Sequence, residues 1–68
     1  MTAEVLLGDM IMRHSSSDVE ICRRDDGSIE IYDYALREAS GNRHAGLVFV
    51  ALAGEWKWAN IKVEPTNA

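Results

Sequence analysis

The chain has 68 residues, of which 47% are hydrophobic and 26% are charged, and its formal net charge is −4. This composition is typical of one small globular domain, which we place at 1–68, and it is too apolar for a disordered chain. The one cysteine, Cys22, excludes an internal disulfide. The longest apolar run, 47–53, is too short for a membrane span, which needs about 20 residues. Because the first residues lack the basic charges of a secretion signal, we expect a cytoplasmic protein.

The net charge is concentrated in the middle of the chain. Residues 18–38 contain seven acidic and three basic side chains, whereas the rest of the sequence contains four of each. A field of this sign attracts basic surfaces and repels DNA and RNA. We therefore expect a protein partner and no direct contact with nucleic acid.

The N-terminal segment 3–14 is compatible with two structures. Leu6, Leu7, Met10 and Ile11 fit one stripe of a helix, but the same segment also fits two strands bent at Gly8-Asp9. Glycine is unfavourable inside either element, so both alternatives stay open. The three serines at 15–17 predict a loop.

The clearest element is a central hairpin formed by 18–24 and 29–34, which both alternate between polar and apolar residues. Between them, Asp25-Asp26-Gly27 suits a type I turn followed by a glycine in the left-handed position of a bulge. This three-residue loop pairs Ile21 with Ile31. It gathers the apolar side chains on one face, namely Val19, Ile21, Ile29 and Ile31. A two-residue loop would instead place Glu20 opposite Asp33, and like charges in that position are unfavourable.

Segment 35–42 contains the good helix formers Ala, Leu, Arg and Glu and ends with Gly41 and Asn42. They predict a helix of two turns, with Asp33 as a possible N-cap and Gly41 or Asn42 at its C-terminus.

Segments 47–52 and 56–63 predict a second hairpin with its turn at 53–55. The first of these strands is apolar at every position, as in a strand that is buried on both faces. The face turned away from the core therefore needs cover from a helix, a second subunit or a partner. We expect Pro65 to end the last strand and 66–68 to form a frayed tail.

Together these elements predict an α+β fold. It would contain a small antiparallel β-sheet of two hairpins, with four to five strands and one or two short helices. The strand order stays open, and so does the choice between a monomer and a homodimer.

Residues that could support catalysis or bind a metal are scattered along the sequence. His14, His44 and Cys22 do not have the spacing of metal ligands. Ser15-Ser16-Ser17 lies next to His14 but is not part of a nucleophile motif.

Two other patterns are also weak signals of chemistry. Glu20 and Glu30 would need a pocket to shift their pKa values before they could act as acid and base. Segment 41–46 has the glycine spacing of a phosphate loop, but it lacks the Lys and Ser/Thr and precedes a strand. We therefore expect no enzyme, no cofactor and no metal site.

Trp56 and Trp58, with Phe49, could form a platform on which bases stack. Such a platform needs a basic groove, and this chain is acidic. Core packing is the simpler interpretation, and an anchor in a protein–protein contact is the next.

The outward face of the central hairpin combines carboxylates with tyrosines. Alternate residues of a strand lie about 6.7 Å apart, which is close to the spacing of phosphates along one nucleic-acid strand. Carboxylates at that interval can occupy Arg and Lys sites built for a phosphate backbone, unless the face is merely solvated. The candidate partner-binding residues are Asp18, Glu20, Asp25, Asp26, Glu30, Tyr32, Asp33, Tyr34 and Glu38.

In size, acidity and lack of catalytic motifs the whole chain resembles the small phage-encoded anti-CRISPR inhibitors of bacterial defence. The resemblance implies an inhibitor that masks a basic, nucleic-acid-binding partner by DNA mimicry, with a CRISPR–Cas effector complex as one such partner in the cytoplasm of a bacterial host. It includes no shared motif, so no residue role is carried over. The alternative is a structural or assembly subunit that forms a homo-oligomer through its apolar Trp-bearing face.

Overall fold

The computed structural model describes residues 1–41 and 46–63, which form six strands and one helix. The elements are β1 Thr2–Leu7, β2 Met10–Ser15, β3 Val19–Arg23, β4 Ile29–Asp33, α1 Tyr34–Ser40, β5 Leu47–Ala51 and β6 Trp58–Lys62. The strands make two antiparallel sheets. The first sheet has the order β2-β1-β6, and the second sheet has the order β3-β4-β5. The fold is therefore mainly β with one short helix, and it has more strands than the four to five predicted.

The N-terminal segment forms a hairpin, so the strand alternative is confirmed and the helix alternative is wrong. Leu7 pairs with Met10, which leaves Gly8 and Asp9 as a two-residue turn. Gly8 has a φ of 66°. A glycine with positive φ at the first turn position is typical of the type II′ turn, whose twist matches that of the flanking strands.

The central hairpin has the predicted register and loop. Ile21 pairs with Ile31, and Gly27 has a φ of 88°. The Arg24 N–H donates to the Ser28 carbonyl at 2.9 Å, and the Gly27 N–H donates back to the Arg24 carbonyl at 3.1 Å. The three-residue loop Asp25-Asp26-Gly27 is thus confirmed, and it fixes which residues of β3 and β4 face outward.

The predicted helix is also confirmed, with both of its caps. The Asp33 carboxylate accepts the backbone N–H groups of Ala35 and Leu36, and Gly41 ends the helix at a φ of 71°. Capping by an aspartate satisfies two N–H groups that the first helical turn leaves without a partner. The expectations for Asn42, His44, Pro65 and the tail 66–68 lie outside the described residues.

The prediction that β5 and β6 form a hairpin is wrong. β5 pairs with β4 in the second sheet, whereas β6 pairs with β1 in the first sheet. Two hydrogen bonds fix the connection just before β6. The Trp56 indole N–H donates to the Gly27 carbonyl at 2.9 Å, and the Lys57 N–H donates to the Leu6 carbonyl at 2.8 Å. The chain therefore passes from one sheet to the other instead of folding back on itself.

The core lies between the two sheets and is small. The first sheet contributes Ala3, Val5 and Ala59, and the second contributes Val19, Ile29, Ile31 and Ala51. Ile29 and Ile31 are fully buried. Burial of one such side chain stabilises a fold by about 1.5–3 kcal/mol, so these two residues of β4 provide a large share of the packing energy.

Two polar links also join the sheets across the core. The Arg23 guanidinium donates to the Ala59 carbonyl at 3.0 Å and lies 5.8 Å from the ring centroid of Trp56. At the other end, His14 Nε2 lies 2.7 Å from Asp33 Oδ2. Because each link connects an element of one sheet to an element of the other, both fix the position of the central hairpin.

Candidate binding site on the outer face of the central hairpin

One continuous surface brings together the outward residues of β3, β4 and the start of α1. We call it the tyrosine face, and it consists of Glu20, Cys22, Arg24, Glu30, Tyr32 and Tyr34. The register places Glu20 opposite Tyr32 and Cys22 opposite Glu30, so these four side chains are cross-strand neighbours. Alternation along the strands sends Ile21 and Ile31 into the core and these residues to solvent.

The two tyrosines form the centre of this face. Their ring centroids are 6.2 Å apart and their planes differ by 11°, so the rings are nearly parallel. The Arg37 guanidinium lies 5.9 Å from the centroid of the Tyr34 ring. Burial of the Tyr34 hydroxyl, together with the negative charge of Glu20, raises the pKa of this phenol. Both rings therefore contact their neighbours and present a partly apolar surface.

The two carboxylates of the face differ in how they are paired. Glu30 is half-buried, forms an ion pair with Arg24, whose Nε lies 2.8 Å from Glu30 Oε1, and accepts the Tyr32 hydroxyl at 3.3 Å. Glu20 is exposed, and among residues 1–41 and 46–63 it forms no ion pair. Glu20 is therefore the carboxylate of this face that is available to a cation from outside.

Cys22 lies next to both carboxylates, and both raise the pKa of its thiol. Its thiol donates to Glu20 Oε1 at 3.1 Å. That hydrogen bond, partial burial and the charges of Glu20 and Glu30 raise the pKa of the thiol. Because the thiolate is the reactive form of cysteine, the surroundings of Cys22 oppose a nucleophilic role.

Four other predicted residues surround the tyrosine face without being part of it. Asp18, Asp25, Asp26 and Glu38 are all exposed, at the start of β3, at the hairpin tip and on α1. The Asp26 carboxylate accepts the Ser28 hydroxyl at 2.6 Å and the Ser28 N–H at 2.9 Å, and these bonds lower the pKa of Asp26. The acidic residues thus lie at the start of β3, at the hairpin tip and on α1, and they do not form one straight row.

The remaining predicted residue, Asp33, points into the protein. It is 3% exposed, and its carboxylate binds His14 and the Ser16 hydroxyl, the latter at 2.8 Å, in addition to capping α1. These hydrogen bonds, above all that to His14, lower the pKa of Asp33. The predicted register contained a signal for this position, because it places Asp33 opposite the inward residue Val19. Asp33 therefore belongs to the structural framework and not to the surface that a partner can reach.

The Asp33 cluster combines a serine, a histidine and an aspartate but lacks the geometry of a catalytic triad. A triad needs the serine hydroxyl on the histidine ring, with the aspartate on the other ring nitrogen. Here the Ser16 hydroxyl and His14 both bind the Asp33 carboxylate. Sequence reasoning did not identify His14 and Ser16 as partners of Asp33, since they lie 19 and 17 positions away along the chain.

The aromatic residues outside the tyrosine face do not share one platform. Phe49 and Trp56 pack against the core, whereas Trp58 is 40% exposed on the outer face of the first sheet. On that face the register places Trp58 on one side of Leu6 and Ile11 on the other. We call these three residues the Trp58 patch.

One open cleft lies beside β5. It measures about 340 Å³ and is lined by Leu7, Phe49, Val50, Ala51 and Glu55. Glu55 Oε1 accepts the Leu52 N–H at 2.7 Å, so this carboxylate already closes the turn that follows β5. The cleft is mostly apolar, and its lining residue Val50 lies opposite Glu30 on the neighbouring strand.

Within 1–41 and 46–63, no group of three or more His, Cys, Asp and Glu side chains could hold a metal ion. In the same part of the chain, no helix has the length and apolar character needed to cross a membrane. Comparison of the chain with protein-family models, with curated proteins and with solved structures gives no match.

Proposed function

We propose that this protein binds a partner through the tyrosine face and masks a basic surface of that partner. The observation that carries the proposal is the position of Glu20, which is exposed, forms no ion pair among residues 1–41 and 46–63, and lies opposite Tyr32 on the neighbouring strand. A guanidinium or ammonium group of a partner finds a charge partner in Glu20 and aromatic rings beside it.

The charge around the tyrosine face supports a cationic partner. Asp18, Asp25, Asp26 and Glu38 are exposed at the start of β3, at the hairpin tip and on α1. Of the arginines nearby, Arg24 is engaged by Glu30, and Arg37 lies over the Tyr34 ring. Such an arrangement steers basic surfaces towards the face and repels nucleic acid. A partner that itself binds nucleic acid offers Arg and Lys side chains of the required kind.

The arrangement favours a compact contact over imitation of a long phosphate backbone. Of the two carboxylates on the tyrosine face, Glu30 is engaged by Arg24, and only Glu20 is open. Mimicry of a duplex needs several unpaired carboxylates in sequence. We infer that the partner places a few cationic side chains beside Glu20 and against the exposed parts of the tyrosine rings. A CRISPR–Cas effector complex, which the likeness to anti-CRISPR inhibitors suggests, remains one partner of this chemistry to test.

The first test uses a synthetic peptide rich in arginine and lysine as the probe. We expect it to shift the backbone amide resonances of Glu20, Cys22 and Tyr32 in a two-dimensional NMR spectrum. Glu20→Lys should weaken binding about fivefold or more, because a rim charge contact of this kind contributes about 1 kcal/mol and its reversal adds repulsion.

The matched control is Asp9→Lys, which makes the same change of charge in the turn between β1 and β2. Asp9 is exposed and distant in sequence from the tyrosine face. Its reversal should leave binding nearly unchanged. If Asp9→Lys and Glu20→Lys lower the affinity for the peptide equally, net charge alone governs binding and the proposed site is wrong. Capture from a bacterial lysate that contains CRISPR–Cas proteins, with the wild type and Glu20→Lys in parallel, then addresses the identity of the partner.

A second candidate function is assembly through the Trp58 patch. Trp58 and Ile11 are 40% and 38% exposed, and together with Leu6 they form a contiguous apolar surface across the three strands of the first sheet. Tryptophan is a frequent anchor of protein contacts. This observation favours a homo-oligomeric subunit as the alternative.

A further inference from the structure

The surface that carries the tyrosine face continues onto the third strand of the same sheet. β5 pairs with β4, and the register places Leu47 opposite Tyr32 and Val50 opposite Glu30. Residues directly opposite each other in an antiparallel pair lie on the same face of the sheet. Leu47 is 43% exposed and Val50 is 45% exposed. Two aliphatic side chains therefore extend the outer face beyond the tyrosine rings.

The pairing of the three strands creates one row of side chains across the sheet. Glu20 of β3 lies opposite Tyr32 of β4, and Tyr32 lies opposite Leu47 of β5. We call these three residues the cross-strand row. Neighbouring strands are about 4.8 Å apart, so a carboxylate, an aromatic ring and an aliphatic side chain follow one another within about 10 Å. The chemistry of the face thus changes from anionic to apolar in the direction perpendicular to the strands.

The charges fix where a cation can bind along this direction. Glu20 is exposed and forms no ion pair among residues 1–41 and 46–63, whereas Arg24 engages Glu30 on β4. The strand β5, Leu47–Ala51, contains no charged residue. A cationic group of a partner therefore finds its charge partner over β3, and an apolar group of the same partner finds its contact over β5. The reverse placement would cover the Glu20 carboxylate with an apolar group and leave it without a partner, which is unfavourable.

The spacing within the cross-strand row distinguishes between two kinds of partner segment. On one face of an α-helix, residue i is followed by i+3 or i+4 at a rise of about 4.5–6 Å and by i+7 at about 10.5 Å. These intervals agree with one and two strand spacings. Side chains on one face of an extended segment recur about every 6.7 Å, which places the second about 2 Å and the third about 4 Å too far along. The row therefore fits a helix better than an extended segment.

We propose that the partner of the tyrosine face presents a basic amphipathic helix whose axis crosses β3, β4 and β5. An arginine or lysine of that helix pairs with Glu20, and apolar side chains one and two turns away lie on Tyr32 and Leu47. Amphipathic helices bind other surfaces through anchors at this spacing. The inference rests on the proposed function of the tyrosine face, and it names the kind of segment that this face accepts.

The test compares two alanine-rich helical peptides of about 20 residues and identical composition, since shorter helices are marginal in water. In the first peptide, leucines follow an arginine by four and by seven positions, so all three share one face. In the second, both leucines are moved on by two positions, which turns them to the opposite side of the helix. In NMR titrations of the intact protein we expect the first peptide to bind about fivefold more tightly than the second. It should shift the amide resonances of Leu47 and Val50 as well as that of Glu20.

Variants of the protein test the apolar end of the row. Leu47→Ser should lower the affinity for the first peptide about fivefold and leave that for the second nearly unchanged, because only the first places a leucine on this residue. The control is Val63→Ser, which removes a 71% exposed apolar side chain next to β6 in the other sheet and should change neither affinity. Circular dichroism checks that the variants are folded, and Val50→Ser replaces Leu47→Ser if the latter is not. A proline between the arginine and the leucines breaks the helix and should reduce the affinity of the first peptide to that of the second.

Several results would overturn the inference. Equal affinities for the two peptides would do so, as would an effect of Leu47→Ser no larger than that of Val63→Ser. A proline-containing peptide that binds as tightly as the first would show that the partner segment is not a helix. If Glu20→Lys still weakens binding of both peptides in these cases, the proposed function stands and only the kind of partner is wrong. If neither helical peptide binds, the inference fails, and the proposed function is then decided by the peptide rich in arginine and lysine.

Discussion

At the scale of single residues, side chains of the same type and charge have different roles according to the direction in which their strand sends them. Glu20 and Asp33 are both acidic residues of the central hairpin, yet Glu20 is exposed and Asp33 is buried in a hydrogen-bonded cluster. Glu30 shares the outward face with Glu20 but is neutralised by Arg24. A count of charges in the sequence therefore overstates the number of carboxylates that a partner can reach.

The reactivity of the Cys22 thiol reports on the negative charge at the tyrosine face. The hydrogen bond to Glu20, partial burial and the charges of Glu20 and Glu30 raise the pKa of its thiol. We expect Glu20→Gln to accelerate alkylation of Cys22 by iodoacetamide severalfold near pH 8, because the change removes a negative charge beside the thiol and so favours the thiolate. The rate of thiol loss measured by mass spectrometry checks this.

Asp9→Asn is the control for that measurement, since it removes one charge from an exposed turn on the other sheet. It should leave the rate nearly unchanged. An identical alkylation rate in the wild type and in Glu20→Gln would show that the Glu20 carboxylate does not act on Cys22.

At the scale of elements, local signals predict local structures well and strand partners poorly. Asp25-Asp26-Gly27 determines a three-residue loop, and the Asp33 and Gly41 caps determine α1, because all of these contacts lie within a few residues. The partner of β5 is different. An apolar strand pairs equally well with several neighbours, and the choice of β4 over β6 depends on contacts such as that of Trp56 with Gly27, 29 positions apart.

The same distinction applies to the candidate site. Alternation correctly predicts that Glu20, Glu30 and Tyr32 face outward, since it follows from the pleat of the strand. It does not predict that Arg24 engages Glu30 or that His14 and Ser16 reach Asp33. Those pairings depend on rotamers and on the packing of the two sheets, which no local pattern encodes.

The tip of the central hairpin gives a prediction at this scale. Gly27 has a φ of 88°, and a Cβ added there would lie 3.0 Å from the Ala53 Cβ in the turn that follows β5. Gly27→Ala therefore combines backbone strain with a steric contact, and we expect it to lower the free energy of unfolding by about 2 kcal/mol. Gly41→Ala, with a φ of 71° in the left-handed region and no atom of the described residues within 4 Å of the added Cβ, should lower it by about 1 kcal/mol through backbone strain alone. Urea denaturation measures the free energy of unfolding of both variants. Equal decreases would show that the contact of the added Cβ with Ala53 costs nothing, because Ala53 can move away.

At the scale of the whole molecule, stability depends on how two small sheets are held together over a thin core. A chain of this length buries only about 60% of the surface that its unfolded form exposes, so individual polar links between the sheets carry more weight than in a larger domain. The contact of His14 on β2 with Asp33 at the end of β4 is such a link, and the hydrogen bond from Arg23 to the Ala59 carbonyl is another. If these links fix the central hairpin, they also fix the tyrosine face on its outer side.

The Asp33 link predicts how stability depends on pH. Because the pKa of Asp33 is lowered in the folded state, this carboxylate stabilises the fold above its unfolded value of about 3.9, and the contribution is lost as the pH falls from there through the folded pKa. Asp33→Asn keeps a good helix cap but removes the charge, so we expect it to lower the free energy of unfolding by about 1–3 kcal/mol at pH 7. The deficit relative to the wild type should shrink as the pH is lowered towards 2. The Asp9 carboxylate is exposed, so Asp9→Asn should have nearly the same free energy of unfolding as the wild type at pH 7 and near pH 2. Urea unfolding curves between pH 7 and about pH 2 measure this difference in the free energy of unfolding. A difference that stays constant with pH would mean that the ionised carboxylate of Asp33 contributes nothing beyond the helix cap.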